Sequence, residues 1–222
     1  MAAPTYPLDG TADRGPRAVL VPHRDVTLDA VRGAAIVLMI LDHALGFAQT
    51  TDLTQPWMHD IRFSITRLAM PAFMVCSGML LSRRGIARRR WFEVAAVAVA
   101  VNGAALISGL STFVPDILAI WCLVMLLATP LRRFPATIAV LGLLQATYWR
   151  LPIAGYQPGW VLAFVALGVL MARSGDQEVL PAIARRTPAW ATAIGRKPLR
   201  WYAGHLACLA AATSIGAQLG WW

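Results

Sequence analysis

Apolar residues run along the chain in seven blocks, roughly 31–49, 62–82, 92–113, 116–131, 134–149, 158–173 and 199–220. Short stretches holding most of the charges separate them. A helix crossing the hydrocarbon core of a bilayer needs about 20 such residues, so each block predicts a membrane-spanning helix. The fourth, fifth and sixth fall short of that length, at about 16 residues each. Pro130 and Pro135 bracket a tight turn around Arg132 and Arg133, which predicts a hairpin of the fourth and fifth helices. The first 23 residues carry Pro4, Pro7, Pro16 and Pro22 and no apolar run of the kind a cleavable signal needs. They read as a flexible cytosolic tail, leaving 24–222 as a single transmembrane domain. The 174–198 stretch, with Pro181 and Pro188 among amphipathic segments, is expected on the inner membrane surface. The fold class is therefore an all-α, polytopic bundle of about seven spans.

Composition agrees with the pattern. Apolar residues make up 58% of the chain and charged ones 14%, against about 45–50% and about 25% in a soluble domain. Disordered, collagenous and disulfide-scaffold classes are excluded by the same figures. The net charge of +9 would suggest nucleic acid in a soluble protein. In a membrane protein it sets topology instead, so no nucleic-acid partner is expected. The loop arginines lie before span one and after spans two, four and six. The opposite loops keep only Arg62 and Arg150. Basic loops stay inside, which puts the N-terminus in the cytoplasm and the C-terminus outside, in a multi-pass protein of the plasma membrane. Cys76, Cys122 and Cys208 lie singly in apolar runs, with no CxxC pair, and read as packing residues rather than disulfide or metal ligands.

Ionisable groups inside spans are expensive and mark function. Arg32 and His43 are eleven positions apart. At about 100° per residue they lie about 20° apart on one helix face and about 16 Å apart along it. Asp29 is one turn before Arg32 and can pair with it; Asp42 stands beside the histidine. Counted from the outer boundary, Arg67 and His43 lie at matching depth, about 8–9 Å. Arg67 is therefore expected against Asp42 or beside His43. A purely structural Asp42–Arg67 ion pair is the plainer reading of that pair. His205 counts as about 9 Å deep from the inner side, where a packed histidine is an equal reading. Asn102, the one asparagine, reads as interhelical glue.

At this point the sequence resembles a family. Leu28-Asp29-Ala-Val-Arg32-Gly33, followed by Asp42-His43, resembles the opening of integral-membrane acyltransferases. These are acyltransferase family 3 and the related heparan-alpha-glucosaminide N-acetyltransferase group, whose mark is an arginine, ten residues and a histidine on the first span. Arg67-Leu-Ala-Met-Pro71-Ala-Phe73-Met-Val-Cys-Ser77-Gly78 is similar to their second-span motif. Gly195-Arg-Lys-Pro198-Leu199-Arg-Trp-Tyr202-Ala-Gly-His205 is similar to the motif leading into a late span.

The resemblance implies transfer of an acyl group, most commonly acetyl, from cytosolic acyl-CoA. The acceptor would be a hydroxyl or amine of a glycan or lipid at the outer face. It implies His43, Asp42 and Arg67 as the catalytic set, and Arg32, Asp29, Ser77, Tyr202 and His205 as substrate-binding residues, with no metal. Tyr202 and His205 are expected in the inner half of the CoA channel. A bundle this short is compatible with a homodimer. Two other classes stay open. One is a small transporter or assembly partner using the buried charges without chemistry. The other is a haem-binding electron carrier with His43 and His205 as axial ligands, against which their 9 Å difference in expected depth counts.

Overall fold

The computed structural model describes residues 25–50, 55–107, 116–149, 151, 157–174 and 188–219. Those residues form nine helices and no strand. They are α1 (Val26–Thr50), α2 (Pro56–Arg84), α3 (Arg88–Ile107), α4 (Ile117–Leu126), α5 (Ala128–Arg133), α6 (Pro135–Tyr148), α7 (Pro158–Ser174), α8 (Ala189–Arg196) and α9 (Pro198–Gln218). Each apolar block overlaps one of these helices, except 116–131, which divides between α4 and α5; residues 108–113 of the third block lie outside the described residues. α1 and α2 are each long and apolar enough to cross a membrane. The N-terminal tail and most of the 174–198 stretch lie outside the described residues.

Proline sets several boundaries. α2, α6, α7 and α9 each begin on a proline, whose missing N–H is an unbonded position in a first turn anyway. The turn expected between Pro130 and Pro135 narrows to Phe134, where φ is −130° and ψ 57°. Pro130, Arg132 and Arg133 are all helical, within α5, and only Phe134 separates α5 from α6. A second break falls earlier, at Leu127, between α4 and α5. Pro130 cannot donate to the carbonyl four residues back, so the helix yields one turn before it.

The interior is built around α7. Val161, Val165, Ala166 and Val169 are fully buried there, in an i, i+4 row that faces α2 and α6. Glycine lets the neighbours close in. A Cβ on Gly78 of α2 would overlap the Val165 carbonyl, and one on Gly168 of α7 would overlap the carbonyl of Val75. Small residues at helix crossings of this kind allow backbones to touch, the main source of helix affinity in lipid. Gln145 adds a polar tie: its side-chain oxygen accepts from the backbone N–H of Gly159 at 2.6 Å, satisfying a donor that the first turn of α7 leaves open.

The amphipathic segment expected at the inner surface is α8, and its apolar side lies against α1 rather than lipid. Ala191, Ile194 and Gly195 are buried. The Gly33 position abuts the Ala191 carbonyl, and Gly195 abuts the carbonyl of Asp29. The chain then breaks at Lys197 and restarts at Pro198 as α9.

Candidate active site

The first-span face emerges as read. Asp29, Arg32, Ile36 and Met39 of α1 line one side of a cavity of about 600 Å³. His43 is one turn beyond Met39 on that face. Asp25 anchors the start of α1: its carboxylate accepts from the Leu28 N–H at 3.1 Å and from the Arg83 guanidinium at the end of α2. Asp29 is buried, and Arg32 forms an ion pair with it at 3.8 Å. The i, i+3 spacing that suggested this pair is enough to explain it. Ser77 of α2 and Tyr202 of α9 complete the polar wall. Four of the expected substrate-binding residues, Asp29, Arg32, Ser77 and Tyr202, thus share one cavity.

Arg32, Arg84 and Arg90 stand at the charged end of this space, with Asp25 and Asp29. The remainder is apolar, including Phe73, Val94, Trp121 and Met125. A second groove adjoins it along Leu81, Gly85, Ile86 and Met125. Arg88, Arg132, Arg133 and Arg173 line that groove. These come from the start of α3 and the ends of α5 and α7, so arginines flanking the loops after the second, fourth and sixth apolar blocks meet in one groove; Arg14, Arg17, Arg24, Arg185 and Arg186 lie outside the described residues.

His205 departs from expectation. It is not in the inner channel, well below His43; its Nε2 lies 2.7 Å from Nδ1 of His43. Its depth was counted from a span assumed to begin at the membrane boundary. α8 is already packed along the first turns of α1, so α9 starts inside the bundle and carries His205 further. The same contact brings together the two histidines of the axial-ligand reading, so the expected depth difference of about 9 Å does not hold. At 2.7 Å they are hydrogen-bonded.

Arg67 also departs from expectation. Its guanidinium lies on the outward side of α2, 3.8 Å from the centroid of the Phe63 ring. Asp42, which is buried, pairs instead with Arg62: Nε donates to Oδ1 at 3.1 Å. α2 begins at Pro56, six positions before the expected start at 62. Arg62 is therefore a helical residue facing α1, not a loop charge. Gly46 leaves room for it; a Cβ there would sit 2.9 Å from the guanidinium carbon.

Two further residues belong to the site. The Tyr202 hydroxyl donates to Oδ1 of Asp116 at 2.5 Å. Asp116 caps α4 by accepting from the Leu118 N–H, and its own N–H donates to Oδ1 of Asn102. Asn102 is the interhelical tie expected of it. The signal for Asp116 was present: an acidic residue after Pro115, at the head of an apolar run, is a helix N-cap. Trp121 lines the cavity, and its indole nitrogen is the one buried side-chain polar atom without a hydrogen-bond partner among the described residues.

Residues 25–108 match the family model of an acyltransferase domain, Acyl_transf_3. Over that stretch, a little more than a third of its length, the chain is similar to acyltransferase family 3. No curated protein and no solved structure matches the chain. The matched segment holds α1, α2 and α3, with Arg32, His43 and Ser77. Tyr202 and His205 come from outside it, and the fold returns them to the same place. The glycines of the three motifs have a physical role as well. Gly33 and Gly195 are the α1–α8 crossing itself, and Gly78 is the α2–α7 crossing.

Proposed function

We propose that this acyltransferase spans the plasma membrane about seven times, N-terminus inside and C-terminus outside. It transfers an acyl group, acetyl in the simplest case, from cytosolic acyl-CoA to a hydroxyl or amine of a glycan or lipid at the outer face. The observation that carries the reading is the cavity along α1. It begins among Arg32, Arg84 and Arg90 and reaches Met39, one turn short of His43. Guanidinium groups suit the phosphates of CoA. The apolar body suits its arm, whose length matches the rise of about 16 Å from Arg32 to His43. The adjoining groove of Arg88, Arg132, Arg133 and Arg173 offers more cationic surface at the same end.

In this reading His43 is the general base. The acceptor oxygen or nitrogen bonds to the thioester carbonyl carbon while its proton passes to His43. The carbon–sulfur bond then breaks, and the proton goes on to the sulfur, releasing CoA as the thiol. Asp42, held by Arg62, fixes the start of the turn that carries the histidine.

The test is thermal stabilisation of the purified protein by acetyl-CoA, longer acyl-CoAs and free CoA. A ligand at a hundredfold excess over its Kd stabilises by about 2.7 kcal/mol. Arg32→Ala is expected to reduce that shift, and His43→Ala to keep it while lowering transfer at least about 10²-fold. No shift with any CoA species would overturn the donor assignment and favour the transporter or assembly-partner class.

A further inference from the structure

The hydrogen bonds around the histidine pair fix where each proton sits. His205 Nδ1 lies 2.9 Å from the carbonyl oxygen of Trp201, one turn earlier on α9. A carbonyl can only accept, so that nitrogen carries the hydrogen. A neutral imidazole has one N–H, which leaves Nε2 of His205 as a lone-pair acceptor. It faces Nδ1 of His43 at 2.7 Å. The ring centroids are 5.0 Å apart with planes within 21°. That is close to the largest separation a 2.7 Å nitrogen contact allows, so the rings meet edge to edge along their N–H and lone-pair directions. His43 must then carry its hydrogen on Nδ1.

We propose that His205 is a positioning residue that holds His43 in the Nδ1–H tautomer and so presents Nε2 of His43 as the unprotonated, base-competent nitrogen. The inference rests on the general-base reading of His43 and adds the device that orients it. A carboxylate or carbonyl commonly fills this role for a histidine. Here a second histidine fills it, itself set by a main-chain carbonyl. Neighbouring elements support that arrangement. The Tyr202 ring stands edge-on to His205, with centroids 5.4 Å apart, and is anchored through its hydroxyl to Asp116. Asp42, Arg62 and Asp116 are the charged groups within reach of His43; they come from α1, α2 and the start of α4. None of them separates the two rings. A lone neutral histidine favours the opposite, Nε2–H tautomer, so the partner has work to do.

The experiment is ¹⁵N NMR of histidine-labelled full-length protein in lipid discs, at about pH 8, above the ordinary histidine range. His43 is assigned by its loss in His43→Asn. The wild type is expected to show a protonated Nδ1 and a pyridine-type Nε2 at His43. His205→Ala is expected to revert His43 to the Nε2–H form and to lower the transfer rate about 10²–10⁴-fold, the range for losing a correctly set base. In His205→Gln the side-chain oxygen can accept from His43 Nδ1, so the tautomer and at least a tenth of wild-type activity should return. An Nε2–H His43 in the wild type, or a tautomer unchanged by His205→Ala, would overturn the proposal. If the tautomer behaves as expected but His43→Ala still transfers acyl groups, the orientation stands and the general-base reading of His43 falls.

Discussion

At the scale of single residues, the pairing of Asp42 decides which arginine matters. A buried carboxylate is strongly penalised when its cation is removed, whereas an outward arginine over a phenylalanine ring contributes about 0.5–1 kcal/mol. Arg62→Ala is therefore expected to lower both the melting temperature and the transfer rate, and Arg67→Ala to change the melting temperature little. Parallel melts and rate measurements check this, and equal effects would contradict the Asp42–Arg62 assignment. The sequence shows both arginines but cannot rank them. Each was placed by counting from an assumed membrane boundary, and α2 starts six positions before that boundary. A depth count carries such an error straight into the choice of partner. By contrast Asp29, Arg32 and His43 lie on one continuous helix. Helical periodicity alone fixes their relation, and α1 keeps it.

Among the helices, the glycines separate into two kinds, and they should respond oppositely to the same change. At Gly33 and Gly78 an added methyl meets the backbone of a neighbouring helix, which cannot move aside as a side chain could. Alanine there is expected to destabilise by about 1–3 kcal/mol through overpacking. It should also disturb the cavity, because Arg32 and Ser77 are the adjacent residues. Gly103 and Gly204 have nothing within 4 Å of such a methyl. Alanine at those positions is expected to stabilise by about 0.5–1 kcal/mol through helix propensity. Thermal melts of the four variants in one detergent make the comparison. Most helix positions follow from hydropathy and proline, though the fourth apolar block divides into α4 and α5 and α8 lies outside the seven blocks. The helices' mutual register does not follow from either, because it is set by these crossings. The position of His205 shows the difference: the break at Lys197 is readable from Pro198, but nothing local says that α8 docks on Asp29 and Gly33.

Taken whole, the molecule turns much of its apolar side-chain surface outward. Phe92, Val99 and Ile107 of α3, Leu123 and Leu126 of α4, and Val140, Leu141 and Leu144 of α6 are all exposed. An aqueous surface of that kind would aggregate, and a lipid one would not. The sidedness can be tested directly. In a background with Cys76, Cys122 and Cys208 replaced by alanine, a cysteine at His59 is expected to react with an impermeant thiol reagent on intact cells. One at Arg133 is expected to react only after permeabilisation. The reverse pattern would invert the proposed orientation while leaving the cavity and the histidine pair untouched.

The two histidines meet across a chain separation of 162 residues. That distance has a consequence during biosynthesis. Chains emerge at about 5–20 residues per second, so α1 and α2 can enter the bilayer many seconds before His205 exists. Through that interval the cavity has its arginines and its first histidine but no second ring to set it. With acyl-CoA as the proposed donor, a half-built pocket holding a competent base would spill the acyl group into water. On the proposed reading, placing the decisive partner on α9 leaves a nascent chain inert until that helix is made. A chain truncated before Pro198 should accordingly insert without hydrolysing its donor.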